Sequence, residues 1–222
     1  MINMRSEGIV DSLNEHCYHI LGCGAIGSSA ALQIARTGGT DFVLYDFDKV
    51  EEPNIGVSQY DVNDIGEFKT TALKSKLLDL NSSVNVTTVD QRVATIMYMD
   101  MKDIVVLGFD NMESRLEIVN SILQDKYMNP YMLIDGRMGA EHYQQYLYLG
   151  NHELKKYKDS WYSDNEGSQE PCNRKATSYC SNMAGAFITN SIRKVLTGNP
   201  HEKELTFNFN LMSMTKNTVF PS

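Results

Sequence analysis

Residues 17–27 have the sequence Cys-Tyr-His-Ile-Leu-Gly-Cys-Gly-Ala-Ile-Gly, which contains the most informative pattern for the fold. The apolar run 17–21 predicts a short buried strand. The Ala-rich segment 28–37 has apolar residues at helical spacing, and the apolar run 41–46 predicts a second strand that ends on Asp46. The stretch therefore begins a strand–loop–helix–strand unit.

The glycine pattern Gly22-x-Gly24-x-x-Gly27 lies between the predicted strand and the predicted helix, which is the context that gives it a mechanism. The first glycine allows a tight turn, the second lets a phosphate approach the backbone, and the third lets the helix pack on the strand. The start of that helix offers unpaired N–H groups to an anion. We therefore predict a phosphate-binding loop rather than a purely structural turn.

Asp46 ends the second strand, 24 residues after Gly22. An acid at this place accepts hydrogen bonds from ribose hydroxyls in dinucleotide-binding folds. The alternative is an acid that only holds its own turn. The loop and Asp46 together predict a nucleotide, but they do not distinguish NAD from ATP.

The rest of the chain alternates between the two kinds of element before its pattern changes. After an irregular segment over 47–63, the sequence predicts helices over 65–80 and 112–127 and strands over 84–89, 103–108 and 131–135. This alternation predicts an α/β, Rossmann-like, doubly wound and mostly parallel sheet. Beyond it we predict an antiparallel strand over 142–149, a long loop over 151–177, a helix over 179–196 and an edge strand over 204–212.

We interpret residues 1–222 as a single domain. Its nucleotide-binding core covers about 15–150, and its C-terminal antiparallel and helical elaboration covers 151–222.

Composition excludes several classes of partner. The net charge of −8 disfavours nucleic acid and anionic lipid as partners. No apolar run approaches the roughly twenty residues of a membrane span, and Met1–Leu13 lacks the apolar core of a signal peptide. We therefore expect a cytoplasmic protein. Its four cysteines form no C-x-x-C pair and its five histidines show no metal-ligand spacing, so the sequence predicts free thiols and does not support a four-cysteine zinc site.

Three further motifs follow the glycine loop in order. They are Asp46-x-Asp48-x-Val50 with Asn54 eight residues after Asp46, Ile65-Gly66-x-x-Lys69, and Asp110-Asn111 at the end of a buried strand. Over roughly residues 15–150 this set resembles the ThiF/MoeB family, the adenylating enzymes related to ubiquitin-activating enzymes.

The resemblance implies a role for each matching residue. It implies that Asp46, with Asp48 beside it, binds ribose, that Asn54 faces the phosphates, and that Lys69 contacts phosphate. It also implies that Asp110, next to Asn111, serves Mg-ATP. A carboxylate is a suitable Mg²⁺ ligand and a lysine a suitable point charge.

Each of these residues also has a plainer interpretation. Lys69 is otherwise a solvated helix lysine, whose replacement by alanine changes stability by less than about half a kcal/mol. Asp110 is otherwise the N-cap of the helix that starts at Met112.

The resemblance also implies ATP-dependent adenylation. The substrate would be the C-terminal carboxylate of a small ubiquitin-like or sulfur-carrier protein that ends in Gly-Gly, and the enzyme would be a homodimer. Arg5 resembles the family arginine that reaches the partner subunit's site, and Arg137 is a second candidate. Cys172, beside Arg174 and Lys175, is a candidate for forming a thioester, with a spectator thiol as the alternative.

The sequence also departs from the family pattern. Val57 occupies the place of a family arginine that touches the ATP phosphates. Two other functions therefore stay open: an NAD-dependent oxidoreductase, which the glycine loop and Asp46 alone permit, and a nucleotide-binding relative that has lost turnover.

Overall fold

The computed structural model describes residues 9, 12–96, 99–166 and 176–220. The strands are β1 (Cys17–Leu21), β2 (Asp41–Tyr45), β3 (Asn85–Val89), β4 (Ile104–Leu107), β5 (Met132–Gly139), β6 (His142–Leu149), β7 (His201–Asn208) and β8 (Ser213–Val219). The helices are α1 (Ala25–Arg36), α2 (Glu52–Ile55), α3 (Lys69–Leu80), α4 (Met112–Gln124), α5 (Gly150–Leu154) and α6 (Ser178–Leu196). Short 3-10 helices cover Leu13–Glu15, Val62–Asp64 and Tyr157–Asp159.

The eight strands form one sheet in the order β3-β2-β1-β4-β5-β6-β7-β8. The first five of these pair in parallel, and the pairs from β5 to β8 are antiparallel. The prediction of a doubly wound sheet with an antiparallel elaboration is therefore confirmed. The chain moves outward from β1 to β3 and then returns to β4 on the other side of β1, so a crevice opens between the carboxyl ends of β1 and β4.

Each face of the sheet is covered by its own apolar layer. Buried side chains of α1, α3 and α6 pack on one face with Tyr18 and Ile20. Buried side chains of α4 and α5 pack on the other with Leu21. This alternation follows from the two-residue period of β1 and leaves the ends of the strands as the places where polar side chains can gather.

Helices α1 and α6 cross at small residues. A Cβ added to Gly185 would lie 2.3 Å from Ser29 Oγ, so only glycine allows this close approach. The small residues in the middle of α6 are thereby explained as packing.

Three predicted elements need correction. The helix predicted over 65–80 begins at Lys69, because Gly66 has a φ of +91° and Phe68 pairs with Lys49 across an antiparallel bridge. The segment 151–177 is not a loop throughout, since α5 and a 3-10 helix occupy its beginning.

The strand predicted over 204–212 is β7, and it is not at the edge of the sheet. The edge is β8, whose residues are mostly exposed. Its sequence, Ser-Met-Thr-Lys-Asn-Thr-Val, lacks the apolar alternation that a half-buried strand shows. In the described residues no helix is long and apolar enough to cross a membrane.

Candidate functional site

The glycine loop connects β1 to α1 and contains two glycines that the fold itself requires. Gly22 has a φ of +89°, and an added Cβ would lie 2.8 Å from the carbonyl oxygen of Gly108. A Cβ on Gly27 would lie only 1.8 Å from the carbonyl oxygen of Gly22. These two positions therefore bring β1, β4 and α1 together at the crevice.

Gly24 differs from the other two glycines, because a Cβ added there meets nothing within 4 Å. It is the N-cap of α1, so its open side lies where the unpaired N–H groups of the helix are available. An anion can therefore approach the backbone at Gly24, which is what a phosphate-binding loop requires.

Asp46 holds its own turn and the glycine loop at the same time. One carboxylate oxygen accepts a hydrogen bond from the Cys23 amide at 2.7 Å, and the other accepts one from the Asp48 amide at 2.9 Å. Burial raises the pKa of Asp46 above its usual value, although Lys69 opposes the shift. Asp46 therefore does stabilise its own turn, as the alternative interpretation expected. A carboxylate has further lone pairs, so Asp46 can still accept a ribose hydroxyl.

Lys69 is buried, with only 9% of its surface exposed, so the interpretation as a solvated helix lysine is wrong. Its Nζ donates to Asp48 Oδ2 at 2.8 Å, and its backbone N–H donates to the Asp48 carbonyl oxygen at 2.9 Å. Burial lowers the pKa of Lys69, but the charges of Asp46 and Asp48 outweigh it and raise the pKa above the usual value. The ammonium group of Lys69 is therefore held in position, and its carboxylate neighbours favour its charged form.

Asp110 is exposed at the carboxyl end of β4. It is not the N-cap of α4, because Asn111 is the residue whose Oδ1 accepts the Ser114 amide, at 2.8 Å. The Asn111 Nδ2 also donates to Asp110 Oδ1 at 3.2 Å. The charge of Asp110 acts on Lys69 and helps to raise its pKa, so Asp110 belongs to the same electrostatic group as Asp46 and Asp48.

Asn54 helps to cap its own helix, and the segment after it is anchored to α6. Asn54 Oδ1 accepts the Glu51 amide at 2.9 Å, which closes a capping box at the start of α2. The Val57 carbonyl oxygen accepts Ser181 Oγ at 2.7 Å, so the position where the family has an arginine is anchored to α6.

A buried ionic network lies behind the crevice, and its residues include Asp135, which is not among the predicted site residues. Asp135 is fully buried and pairs with both Arg115 and Arg137. Arg115 also donates to the carbonyl oxygens of Phe109 and Gly136, which fixes the end of β4 just before Asp110. The available signal was a pair of charged residues inside the apolar run that forms β5.

The guanidinium of Arg137 is buried and already paired within this network. It is 4% exposed, its Nε donates to Asp135 Oδ2 at 2.8 Å, and its guanidinium lies 4.4 Å from the centre of the Tyr146 ring. The structure therefore does not support Arg137 as a free arginine that touches phosphate.

The segment that follows α5 lies at the carboxyl ends of the strands, where the glycine loop and Asp110 also lie. Trp161 Nε1 donates to the Met112 carbonyl oxygen at 2.9 Å, and Asp164 Oδ1 accepts the Met112 amide at 3.0 Å. After the gap in the described residues, Thr177 Oγ1 donates to the Ala140 carbonyl oxygen. The predicted site residues Arg5 and Cys172, with Arg174 and Lys175, lie outside the described residues.

The described cysteines, Cys17, Cys23 and Cys180, are free, and their surroundings favour the protonated thiol when no metal ion is bound. Burial raises the pKa of Cys17 to about 12 and that of Cys180 to about 11, with nearby carboxylates adding to both shifts. Burial also raises the pKa of Cys23 far above its usual value. Cys23 and Cys180 are fully buried in the apolar core, so both act as packing residues.

Comparisons with known proteins agree with this architecture. A family model described as the ThiF family matches residues 2–221. A probable molybdopterin-synthase adenylyltransferase of Porphyra purpurea is 30% identical over 131 residues, which are 56% of this chain and 34% of that protein. A ubiquitin-like modifier-activating enzyme 5 of Caenorhabditis elegans is 29% identical over 135 residues, 53% of this chain and 32% of that protein. The chain thus spans about a third of the length of these curated relatives.

Solved structures share the fold over almost the whole chain. The structure of E. coli MccB with ATP superposes with a TM-score of 0.68 at 18% identity, covering 96% of this chain and 67% of that one. A structure of PaaA gives a TM-score of 0.67 at 17% identity, covering 95% and 66%.

Proposed function

Since this chain belongs to the ThiF family, we propose that it uses ATP to adenylate the C-terminal carboxylate of a small ubiquitin-like or sulfur-carrier protein that ends in Gly-Gly. One observation carries the proposal: the buried ammonium of Lys69 donates to Asp48 Oδ2 at 2.8 Å, in a turn where Asp46 accepts both the Asp48 amide and the Cys23 amide of the open glycine loop. Both relatives named above carry names of this class, an adenylyltransferase and a modifier-activating enzyme.

The described residues suit a bound nucleotide. The open side of Gly24 admits a phosphate to the start of α1, and Asp46 accepts the ribose hydroxyls beside it. Lys69, at the start of α3, and Asn54, in α2, would contact the phosphates of the nucleotide. Asp48 holds the Lys69 ammonium in place at 2.8 Å until phosphate oxygens share it.

Adenylation requires positive groups close to the phosphate oxygens of ATP on which negative charge develops. The carrier carboxylate attacks the α-phosphorus of ATP, the bond to the β-phosphate oxygen breaks, and pyrophosphate leaves. Lys69 stabilises the phosphate oxygens during this displacement, because a preorganised cation is most effective in a site that excludes water. Mg²⁺, held by the exposed carboxylate of Asp110 with Asn111 next to it, would supply the remaining positive charge.

The proposed dimer contact and the proposed thioester step involve Arg5 and Cys172, which lie outside the described residues. We propose a homodimer in which Arg5 reaches the phosphates of the partner subunit and compensates for Val57. We also propose that Cys172 accepts the acyl group from the adenylate, which forms a thioester and releases AMP. The described residues on either side of the Cys172 segment include Asp164 and Thr177. Both lie at the carboxyl ends of the strands, which is the end of the sheet that carries the site.

The thioester step has its own test. Cys172→Ser should still form the adenylate but lose any conjugate to the carrier that hydroxylamine cleaves. A conjugate that persists in Cys172→Ser, or never forms in the wild type, would leave the adenylate as the end product.

The two alternative functions differ in which nucleotide they need and in whether they turn it over. An oxidoreductase would have no catalytic role for Lys69 and Asp110. Its melting temperature would rise with NAD rather than with ATP, because a ligand that binds the folded state stabilises it. A non-catalytic relative would be stabilised by ATP but would release no pyrophosphate.

The adenylation step is tested by exchange of radiolabelled pyrophosphate into ATP. The proposal predicts exchange that depends on both Mg²⁺ and a candidate carrier with a free C-terminus. Stabilisation by NAD alone, or ATP binding without exchange for every Gly-Gly carrier encoded near the gene, would contradict it.

A further inference from the structure

A second cluster of potential metal ligands lies at the amino ends of β1 and β4, at the opposite end of these strands from the glycine loop. Cys17 and His19 are two residues apart on β1 and therefore face the same side. Asp103 immediately precedes β4, and the parallel register that pairs Tyr18 with Ile104 places it beside Cys17. One ligand atom from each of the three residues lies within 4.8 Å of the other two.

His19 is held in a defined orientation. It is 4% exposed, and its Nε2 lies 3.1 Å from Asp103 Oδ2. The other ring nitrogen, Nδ1, lies 2.9 Å from the hydroxyl of Tyr45. Metal-binding histidines use such an outer hydrogen bond to fix the tautomer and the ring plane. Asp103 Oδ2 is held as well, since it accepts the Asp100 amide at 2.7 Å.

We propose that Cys17 Sγ, His19 Nε2 and Asp103 Oδ2 bind a divalent transition-metal ion, with Zn²⁺ as the best fit. Thiolate, imidazole and carboxylate are the three protein ligand types of zinc. With metal–ligand bonds of about 2.0–2.3 Å, a tetrahedral ion needs ligand atoms roughly 3.3–3.7 Å apart. His19 Nε2 and Asp103 Oδ2, 3.1 Å apart, are already close to that separation, and the Cys17 sulfur lies within 4.8 Å of the ligand atoms of both residues.

The site also has an entry path and room for a fourth ligand. Cys17 and Asp103 line a cleft of about 270 Å³, while His19 is buried and does not line it. Solvent can therefore reach the site through Cys17 and Asp103, and a water molecule from the cleft could be the fourth ligand. The same cleft is lined by His16 and Asp41. The full length of β1 separates this cleft from Gly22, so the ion would join β1 to β4 at the end of the strands remote from the nucleotide.

The test uses the tag-free full chain, stripped with a chelator and then dialysed against Zn²⁺ or Co²⁺ with excess Mg²⁺ to occupy Asp110. The proposal predicts about one zinc ion per chain and, with cobalt, a thiolate-to-metal charge-transfer band. Cys17→Ser should lose that band, and both Cys17→Ser and Asp103→Asn should bind zinc at least about ten-fold more weakly. Cys180→Ala, which removes a buried thiol elsewhere, should keep the band and the affinity.

Zinc that does not stay bound to the wild-type chain would overturn the proposal, as would wild-type affinity in Cys17→Ser. The trio would then be a histidine–carboxylate pair with a neighbouring thiol. If Cys17→Ser does not fold, X-ray absorption at the zinc edge of the wild-type protein decides the matter. One sulfur in the first shell together with nitrogen and oxygen supports the site, and a shell without sulfur contradicts it.

Discussion

The glycine loop offers a matched pair of substitutions that separates folding from nucleotide binding. In Gly27→Ala the added Cβ would lie 1.8 Å from the carbonyl oxygen of Gly22, whereas Cβ contacts under 3.0 Å essentially do not occur. The start of α1 must therefore move away from β1 by more than an ångström. In Gly24→Ala the added Cβ meets nothing within 4 Å, so the fold should accept it and only an approaching phosphate should collide with it.

The magnitudes follow from these contacts. Overpacking of a well-packed core costs about 1–3 kcal/mol and occasionally more. Because the added Cβ meets a backbone oxygen, which cannot rotate away as a side chain can, we expect a loss near the upper end, about 3 kcal/mol. For a chain of this size that lowers the melting temperature by about 6–12 °C. Gly24→Ala should melt within about 2 °C of the wild type, since its stability should change by less than about half a kcal/mol.

Two measurements read out the pair: thermal unfolding by circular dichroism and ATP binding by isothermal titration calorimetry. Gly24→Ala should bind ATP at least about ten-fold more weakly, a loss of about 1.4 kcal/mol, while remaining folded. A Gly27→Ala protein that melts like the wild type would refute the packing argument. A Gly24→Ala protein with unchanged ATP affinity would refute the assignment of this loop to phosphate.

Three further predictions follow from the site and the network behind it. Asp110→Ala should keep the wild-type melting temperature but lose pyrophosphate exchange, whereas Asn111→Ala should lose about 1 kcal/mol of stability because it removes the α4 cap; equal exchange in Asp110→Ala and wild type would contradict the Mg²⁺ role. Lys69→Met, which keeps the buried stem, should lower the exchange rate about 100-fold or more at a stability cost of about 1 kcal/mol; normal exchange per folded molecule would make Lys69 structural. Arg115→Ala should cost about 3 kcal/mol in urea unfolding, because it leaves a buried carboxylate partly unpaired, while the exposed Arg92→Ala should change stability by less than about half a kcal/mol; equal midpoints would contradict the importance of the network.

The part of the fold that the sequence predicted is the part whose signals are local. The glycine spacing and the apolar runs around it predict β1, α1 and β2 because each depends on a few adjacent residues. The edge strand β8 was not predicted, because exposed edge residues need no apolar alternation.

The burial of Lys69 was not predictable from a helical pattern. It arises because the segment after β2 pairs across to the start of α3, through the bridge between Lys49 and Phe68. The metal-binding trio was missed for a related reason. Cys17 and His19 are visible together as a C-x-H pattern, but Asp103 joins them only through the register of β1 with β4. The sequence likewise predicted Asp110 at the site but could not show that Asn111, rather than Asp110, caps α4.

The most direct test of the central claim is detection of the adenylate on the carrier itself. The chain is incubated with ATP, Mg²⁺ and a Gly-Gly carrier, quenched in acid and analysed by mass spectrometry. A matched carrier whose C-terminus is a carboxamide serves as the control, because it lacks the attacking carboxylate. We expect a carrier species heavier by one adenylyl group, with the free carboxylate only. An ATP-bound chain that leaves the free-carboxylate carrier unmodified, or adenylyl transfer to both carriers alike, would contradict the proposed function.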